Sequence, residues 1–197
     1  MGAKKQPSRD RLLEEAEALR LDGEYSEAIA VLEQVLAANP DDTEALEELA
    51  DNELSLEHFD RAERAATHVL ALDVTSSASH YVLGCVASHR DDWKLACTAL
   101  KEANALSPNT PEILRCLGWA LFNAEKETEG MVTLERSLNL ESENPLTLCD
   151  LGVVYLKSGE PEKAKALLKR ALDMDPTSSR ARECYEMISK IVEKAKS

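Results

Sequence analysis

LGVVYLKSGEPEKAKALLKRALDMDP, from Leu151 to Pro176, decides the fold. With Leu148 just upstream, Leu151, Gly152 and Tyr155 recur at helical spacing before Gly159 and Pro161 interrupt the pattern. A second apolar series follows, Ala164, Leu168, Ala171 and Leu172, and Asp175 with Pro176 stops it. The stretch predicts two short helices joined by a tight turn. Gly152 and Ala164 are small enough to let the two backbones approach, and the leucines fill the space around them. A single pair of this kind cannot bury its apolar face, so it needs neighbours of the same build.

Those neighbours are upstream. Displacing the chain by 34 residues aligns Ala28, Ala62, Ala96, Gly130 and Ala164. A second small column is Ala16, Ala50, Gly84, Gly118 and Gly152, preceded by Leu49, Leu83, Leu117 and Leu151, with Glu15 breaking the series in the first repeat. Leu32, Ala66, Leu100, Leu134 and Leu168 form an apolar column. Pro40, Pro108 and Pro176 close three repeats, and Val74 and Ser142 stand there in the other two. Five repeats therefore tile 9–42, 43–76, 77–110, 111–144 and 145–178 without insertion. Residues 1–8 are expected to be a disordered tail. Residues 179–197 begin like a sixth repeat but stay polar, which predicts a capping helix with Tyr185, Ile188 and Ile191 packed inward and Arg182, Lys190, Lys194 and Lys196 facing water. The Glu-rich first repeat caps the other end.

Composition agrees. The 197 residues are 44% apolar and 30% charged, with 4% aromatics, seven Gly and seven Pro, a balance that favours helix over sheet. The sequence contains no apolar run of about 18 residues, the length a membrane span requires. The start, through Lys4 and Lys5, lacks the apolar stretch of a signal peptide, and Gln6 stands where a myristoylation motif needs Ser or Thr after Gly2. Five dispersed cysteines, Cys85, Cys97, Cys116, Cys149 and Cys184, read as reduced thiols of a cytoplasmic protein. A net charge of −14 argues against nucleic acid or an anionic membrane as partner.

Period, two-helix repeat, Leu-Gly pair, early Ala and closing Pro together resemble the tetratricopeptide repeat (TPR) family over residues 9–178. The resemblance implies an all-α, right-handed superhelical α-solenoid of stacked antiparallel helix pairs. It further implies a concave groove lined by the first helix of each repeat, where a partner peptide or helix lies. The first repeat departs by lacking the Leu-Gly pair, and the fourth has Glu125 and Glu127 where a turn Gly and an aromatic are usual.

The groove stripe then reads Glu44, Glu47, Asp51 and Leu54 in the second repeat and Ala78, Tyr81, Cys85 and Ser88 in the third. It continues as Glu112, Arg115, Trp119 and Phe122 in the fourth and Leu146, Cys149, Val153 and Leu156 in the fifth. The expected binding residues are Glu44, Glu47, Asp51, Tyr81, Cys85, Arg115, Trp119, Phe122 and Val153. Trp119 stands where the family usually has a polar residue, and is either a ligand anchor or covered by the chain's own capping helix. Phe122 sits in a column that also packs between helices, and Trp93 marks an inter-helix turn. The stripe is therefore acidic toward the N-terminus and apolar-aromatic toward the C-terminus, and charge agrees, with three basic residues against ten acidic in the first repeat and two against nine in the second. A partner with a basic and an apolar end fits that polarity. Crowding of Glu44, Glu47, Glu48 and Asp51 costs a few tenths of a kcal/mol per like-charged pair, which a basic ligand would relieve.

Chaperone-binding TPR domains hold a peptide's carboxylates with Lys, Asn and Arg. The corresponding positions here hold Leu13, Glu17, Glu48, Ala78 and Val82, so that clamp is missing; one repeat later, Glu47 and Asp51 defeat it again. There is no phosphate loop, HExxH or nucleophile elbow, and no catalytic residue, metal or cofactor is assigned. His80 falls on a packing column. The sharpest chemical alternative is a metal or redox thiol cluster of Cys116, Cys149 and Cys184, set against small packing residues. Three functions are in competition: a peptide-binding adaptor, scaffold or co-chaperone; a self-associating structural protein; and an accessory subunit using those thiols.

Overall fold

The structure, a computed structural model, describes the backbone of residues 8–196 and the side chains of residues 8–190. The expectations for the tail before Ser8 and for the side chains of Ile191, Lys194 and Lys196 lie outside the described residues. Eleven helices occupy the described residues: α1 Arg9–Leu21, α2 Tyr25–Ala38, α3 Thr43–Ser55, α4 Phe59–Leu72, α5 Ser77–His89, α6 Trp93–Leu106, α7 Pro111–Asn123, α8 Glu127–Leu140, α9 Pro145–Lys157, α10 Pro161–Met174 and α11 Ser179–Lys196. They run as five antiparallel pairs and a single last helix. The chain forms two compact units, one ending at Leu106 and holding α1–α6, the other starting at Ser107 and holding α7–α11.

Local chemistry sets the helix ends. Asp42 accepts the Ala45 N–H at 3.2 Å, the Ser76 hydroxyl accepts the Ser79 N–H at 3.0 Å, and Asn144 accepts those of Leu146 and Thr147 at 3.0 Å. Pro111, Pro145 and Pro161 open α7, α9 and α10, where a missing N–H costs nothing. The turn inside each pair needs one left-handed residue. Gly23 and Gly159 supply it at φ 81° and 80°, while Glu57, Asp91 and Glu125 are held at 59°, 58° and 63°.

In the N-terminal unit one core cluster joins Leu12, Leu13, Ala16, Val31, Leu32, Val35 and Ala45, and a second joins Ala50, Ala62, Ala65, Ala66, Val82 and Val86. In the C-terminal unit the core gathers larger side chains, among them Phe122, Leu134, Leu148, Leu151, Tyr155 and Leu168. The last helix adds Ala181 and Ile188, both fully buried, with Tyr185 packed alongside. At the α7–α8 crossing small residues bring backbone against backbone. A Cβ on Gly130 would stand 2.6 Å from the Phe122 backbone nitrogen and 2.7 Å from the Gly118 carbonyl oxygen.

Candidate functional site

The first-helix stripe falls on both units, and each part has its own chemistry. In the N-terminal unit, Arg9 of α1 reaches the start of α3. Its Nε lies 2.6 Å and its Nη2 2.9 Å from the Asp42 carboxylate, and Nη2 is 2.7 Å from Glu44. The Arg9 guanidinium holds the Asp42 carboxyl below the usual carboxylate range, against the opposing effect of burial. Glu47 accepts the Ser76 hydroxyl, and Asp51 lies 4.0 Å from Arg20. Glu48 is part-buried, and burial pushes its carboxyl up; Arg20 opposes the shift, while Glu17, Glu44 and Asp51 add to it. Crowding of carboxylates is thus real but already met in part by two arginines of α1. Tyr81 packs on the Ala50–Ala62 cluster, and Cys85 is half-buried.

Deeper on α3, Asn52 and Glu53 are fully buried. His58 Nδ1 and Arg61 Nη2 each lie 2.7 Å from the Glu53 carboxylate, so the buried charge is compensated at the α3–α4 turn.

The C-terminal unit is organised around Asp150 of α9, whose side chain is 3% exposed. Arg115 of α7 approaches it at 3.0 Å and Arg180 of α11 at 2.9 Å. The Arg180 guanidinium also lies 4.7 Å from the centre of the Trp119 ring, and Lys157 Nζ is 5.6 Å from that ring and 5.7 Å from the Phe122 ring. Trp119 is half-buried against the core, with a cation on it from each of two helices.

Two expected binding residues need correction. Phe122 and Val153 are 7% and 8% exposed, too little to meet a ligand. Phe122 belongs to the core with Leu134 and Leu148. Helix α9 is enclosed by α7, α8, α10 and α11, and is buried continuously from Thr147 to Tyr155. The C-terminal face is therefore not simply apolar-aromatic. Its outer layer is cationic, through Lys157 and Arg180, two residues the stripe omitted. Asp150 carried a readable signal: a lone carboxylate inside the apolar run Leu146–Leu156 requires a cation partner. Which arginines supply it is a matter of tertiary packing.

Catalytic and metal chemistry gain no support. Among the described residues, no group of three or more His, Cys, Asp or Glu side chains is placed to hold a metal ion. Burial pushes the Cys149 thiol up to about 11, away from the thiolate that redox or metal chemistry requires. No helix among the described residues is long and apolar enough to cross a membrane.

Two family models describing the tetratricopeptide repeat match residues 19–83 and 145–178. The chain belongs to the tetratricopeptide repeat family. Solved TPR structures share its fold. A thermophilic TPR protein of Thermus thermophilus superposes at TM-score 0.76 with 22% identity, covering 92% of this chain and 98% of that one. YrrB, a TPR protein with an unusual peptide-binding site, superposes at 0.63 with 21% identity, over 89% and 90% of the two chains. A chain of the APC/C Cut9–Hcn1 hetero-tetramer superposes at 0.84 with 18% identity, over 92% of this chain and 36% of that one. In sequence, the chain is 24% identical over 174 residues to the BBSome complex member BBS4 homolog of Drosophila melanogaster, covering 88% of this chain and 35% of that protein. It spans about a third of that relative's length. The TPR fold marks the chain as a protein–protein interaction module.

Proposed function

We propose that this TPR protein is a non-catalytic adaptor or scaffold that binds a segment of a partner polypeptide on the faces of its first helices. The observation that carries this reading is Trp119, a large amphipathic side chain left partly open on α7 in a fold that works through protein contacts. Its ring packs inward on the core while its outer part lies among cations, the arrangement of an interface anchor with a polar rim. The acidic part of α3, Glu44, Glu47 and Asp51, supports a separate contact with a basic stretch of polypeptide. Residence in the cytoplasm belongs to the same proposal, supported by an odd number of dispersed cysteines.

The test is affinity capture with the intact chain, followed by titration of the captured partner against variants. Trp119→Ala should weaken binding by about 2 kcal/mol or more while the helical signal persists. Glu47→Lys with Asp51→Lys should weaken it mainly at low salt, because exposed charge pairs are screened by ions. Thermal melting is measured on the same samples. A large stability loss with unchanged affinity of the folded fraction would remove Trp119 from the site.

A further inference from the structure

The cations around Trp119 carry a statement about the partner that the sequence stripe did not make. One face of α9 reads Leu146, Asp150 and Lys157, spaced so that all three share a side of the helix. Leu146 is 58% exposed and Lys157 is also exposed, while Asp150 is sealed beneath Arg115 and Arg180. The carboxylate of the cluster is thus inside and already shared by two guanidiniums, and the charge left toward solvent is positive. Lys157 reaches over the Trp119 and Phe122 rings, and among the described residues no carboxylate lies within ion-pair distance of it. The Arg180 side chain is 51% exposed and uses Nη2 on Asp150, while a guanidinium carries five N–H donors in all. A half-buried aromatic ring with two solvent-facing cations against it is built for carboxylates flanking an apolar side chain.

We propose that this face of the C-terminal unit takes an acidic segment of a partner polypeptide, with carboxylates on Lys157 and Arg180 and an apolar side chain against Trp119. The proposal rests on the reading of the first-helix face as a partner site and gives it a chemistry. A protein of net charge −14 repels acidic ligands at long range, so a local island of cations directs such a segment to one place. The same net charge opposes a nucleic-acid strand, whose phosphates extend well beyond an island of two or three cations.

A display library of random twelve-residue peptides, selected on the intact chain, tests this. Enriched sequences should carry Asp or Glu flanking Leu, Phe or Met. A synthetic peptide of the enriched sequence should lose affinity by about tenfold or more on Lys157→Glu, and should weaken steeply with salt. Lys157 is exposed and makes only ring contacts among the described residues, so this variant should keep its circular dichroism and melting temperature. Glu14→Lys, at an exposed position of α1 in the other unit, should leave this peptide's affinity unchanged. Enrichment of basic or carboxylate-free peptides overturns the acidic-segment proposal and leaves peptide binding standing. Failure to enrich any sequence overturns both. A twelve-residue oligodeoxythymidine that binds more tightly than the acidic peptide, and loses binding on Lys157→Glu, reassigns the face to nucleic acid and also overturns the proposal.

Discussion

The two units repeat one geometry and fill it differently. In the N-terminal unit the small columns are mostly alanine, and the α3–α5 core is Ala50, Ala62, Ala65 and Ala66 with two valines. The larger side chains Leu49, Leu54, Phe59, Tyr81 and Leu83 pack against that core only partly buried, and beside it lie Asn52 and the ion-paired Glu53. In the C-terminal unit Gly118 and Gly130 bring α7 and α8 backbone to backbone, and leucines with Phe122 and Tyr155 occupy the interior. Burial of a leucine side chain contributes about 1.5–3 kcal/mol, far more than an alanine methyl can. The comparison teaches that a constant period specifies where helices lie, while the residues in each column specify how firmly they are held.

The largest expected effect tests the close crossing directly. Gly130→Ala should destabilise the C-terminal unit by about 3 kcal/mol, since the added methyl meets backbone that cannot turn aside. Ala62→Gly, at the equivalent column of the N-terminal unit, should cost only about 1 kcal/mol through helix propensity. Hydrogen exchange resolved along the chain measures both. Equal costs at the two positions would dissolve the contrast.

A smaller effect follows from the charges of the N-terminal unit. The Asp42 carboxyl is depressed by Arg9, so the folded state holds that proton less tightly than the unfolded chain. This contribution is full above the ordinary carboxylate range and is lost as pH falls through the folded value. The Glu48 carboxyl is raised, so the sign reverses: its ionisation opposes folding, and the folded state gains as pH falls from neutral. Protection of α1–α4 amides should therefore weaken toward acid through Asp42 and toward neutral pH through Glu48. Asp42→Asn should flatten the acid limb, and Glu48→Gln the neutral one. A maximum at pH 7 in the parent would contradict the assignment.

The smallest effect concerns the turns, where the units are alike. Glu57 and Glu125 both hold a left-handed backbone that glycine adopts without strain. Glu57→Gly and Glu125→Gly should each stabilise by about 0.5–1 kcal/mol, read as an upward shift in thermal midpoint. A gain in one unit alone would show that the turns, too, are held differently.

Much of this was legible in the sequence. The repeat columns placed the helices, because 34-residue recurrence of small and large apolar residues leaves few other ways to bury the chain. Ile188 and Tyr185, the apolar residues the last segment offered, pack on the C-terminal core. Trp119 stands out in its column from sequence alone, and the structure leaves it partly open and partly covered by Arg180 of the last helix. The acidic character of the α3 face was also plain from composition.

Other features were decided only by tertiary packing. A stripe drawn at helical spacing treats Trp119, Phe122 and Val153 alike, yet neighbouring helices cover the last two and leave the first partly open. Helical periodicity gives the direction in which a side chain points, not how many helices converge there, and α9 is met from several sides. Equally, no local pattern joins Arg115, Asp150 and Arg180, which lie on three separate helices, or sets Lys157 over Trp119. The stripe read along the first helices gave this region an apolar-aromatic character. The fold buries the carboxylate and leaves the cations outside, because a sealed Asp must be paired while a long basic side chain can keep its head in water.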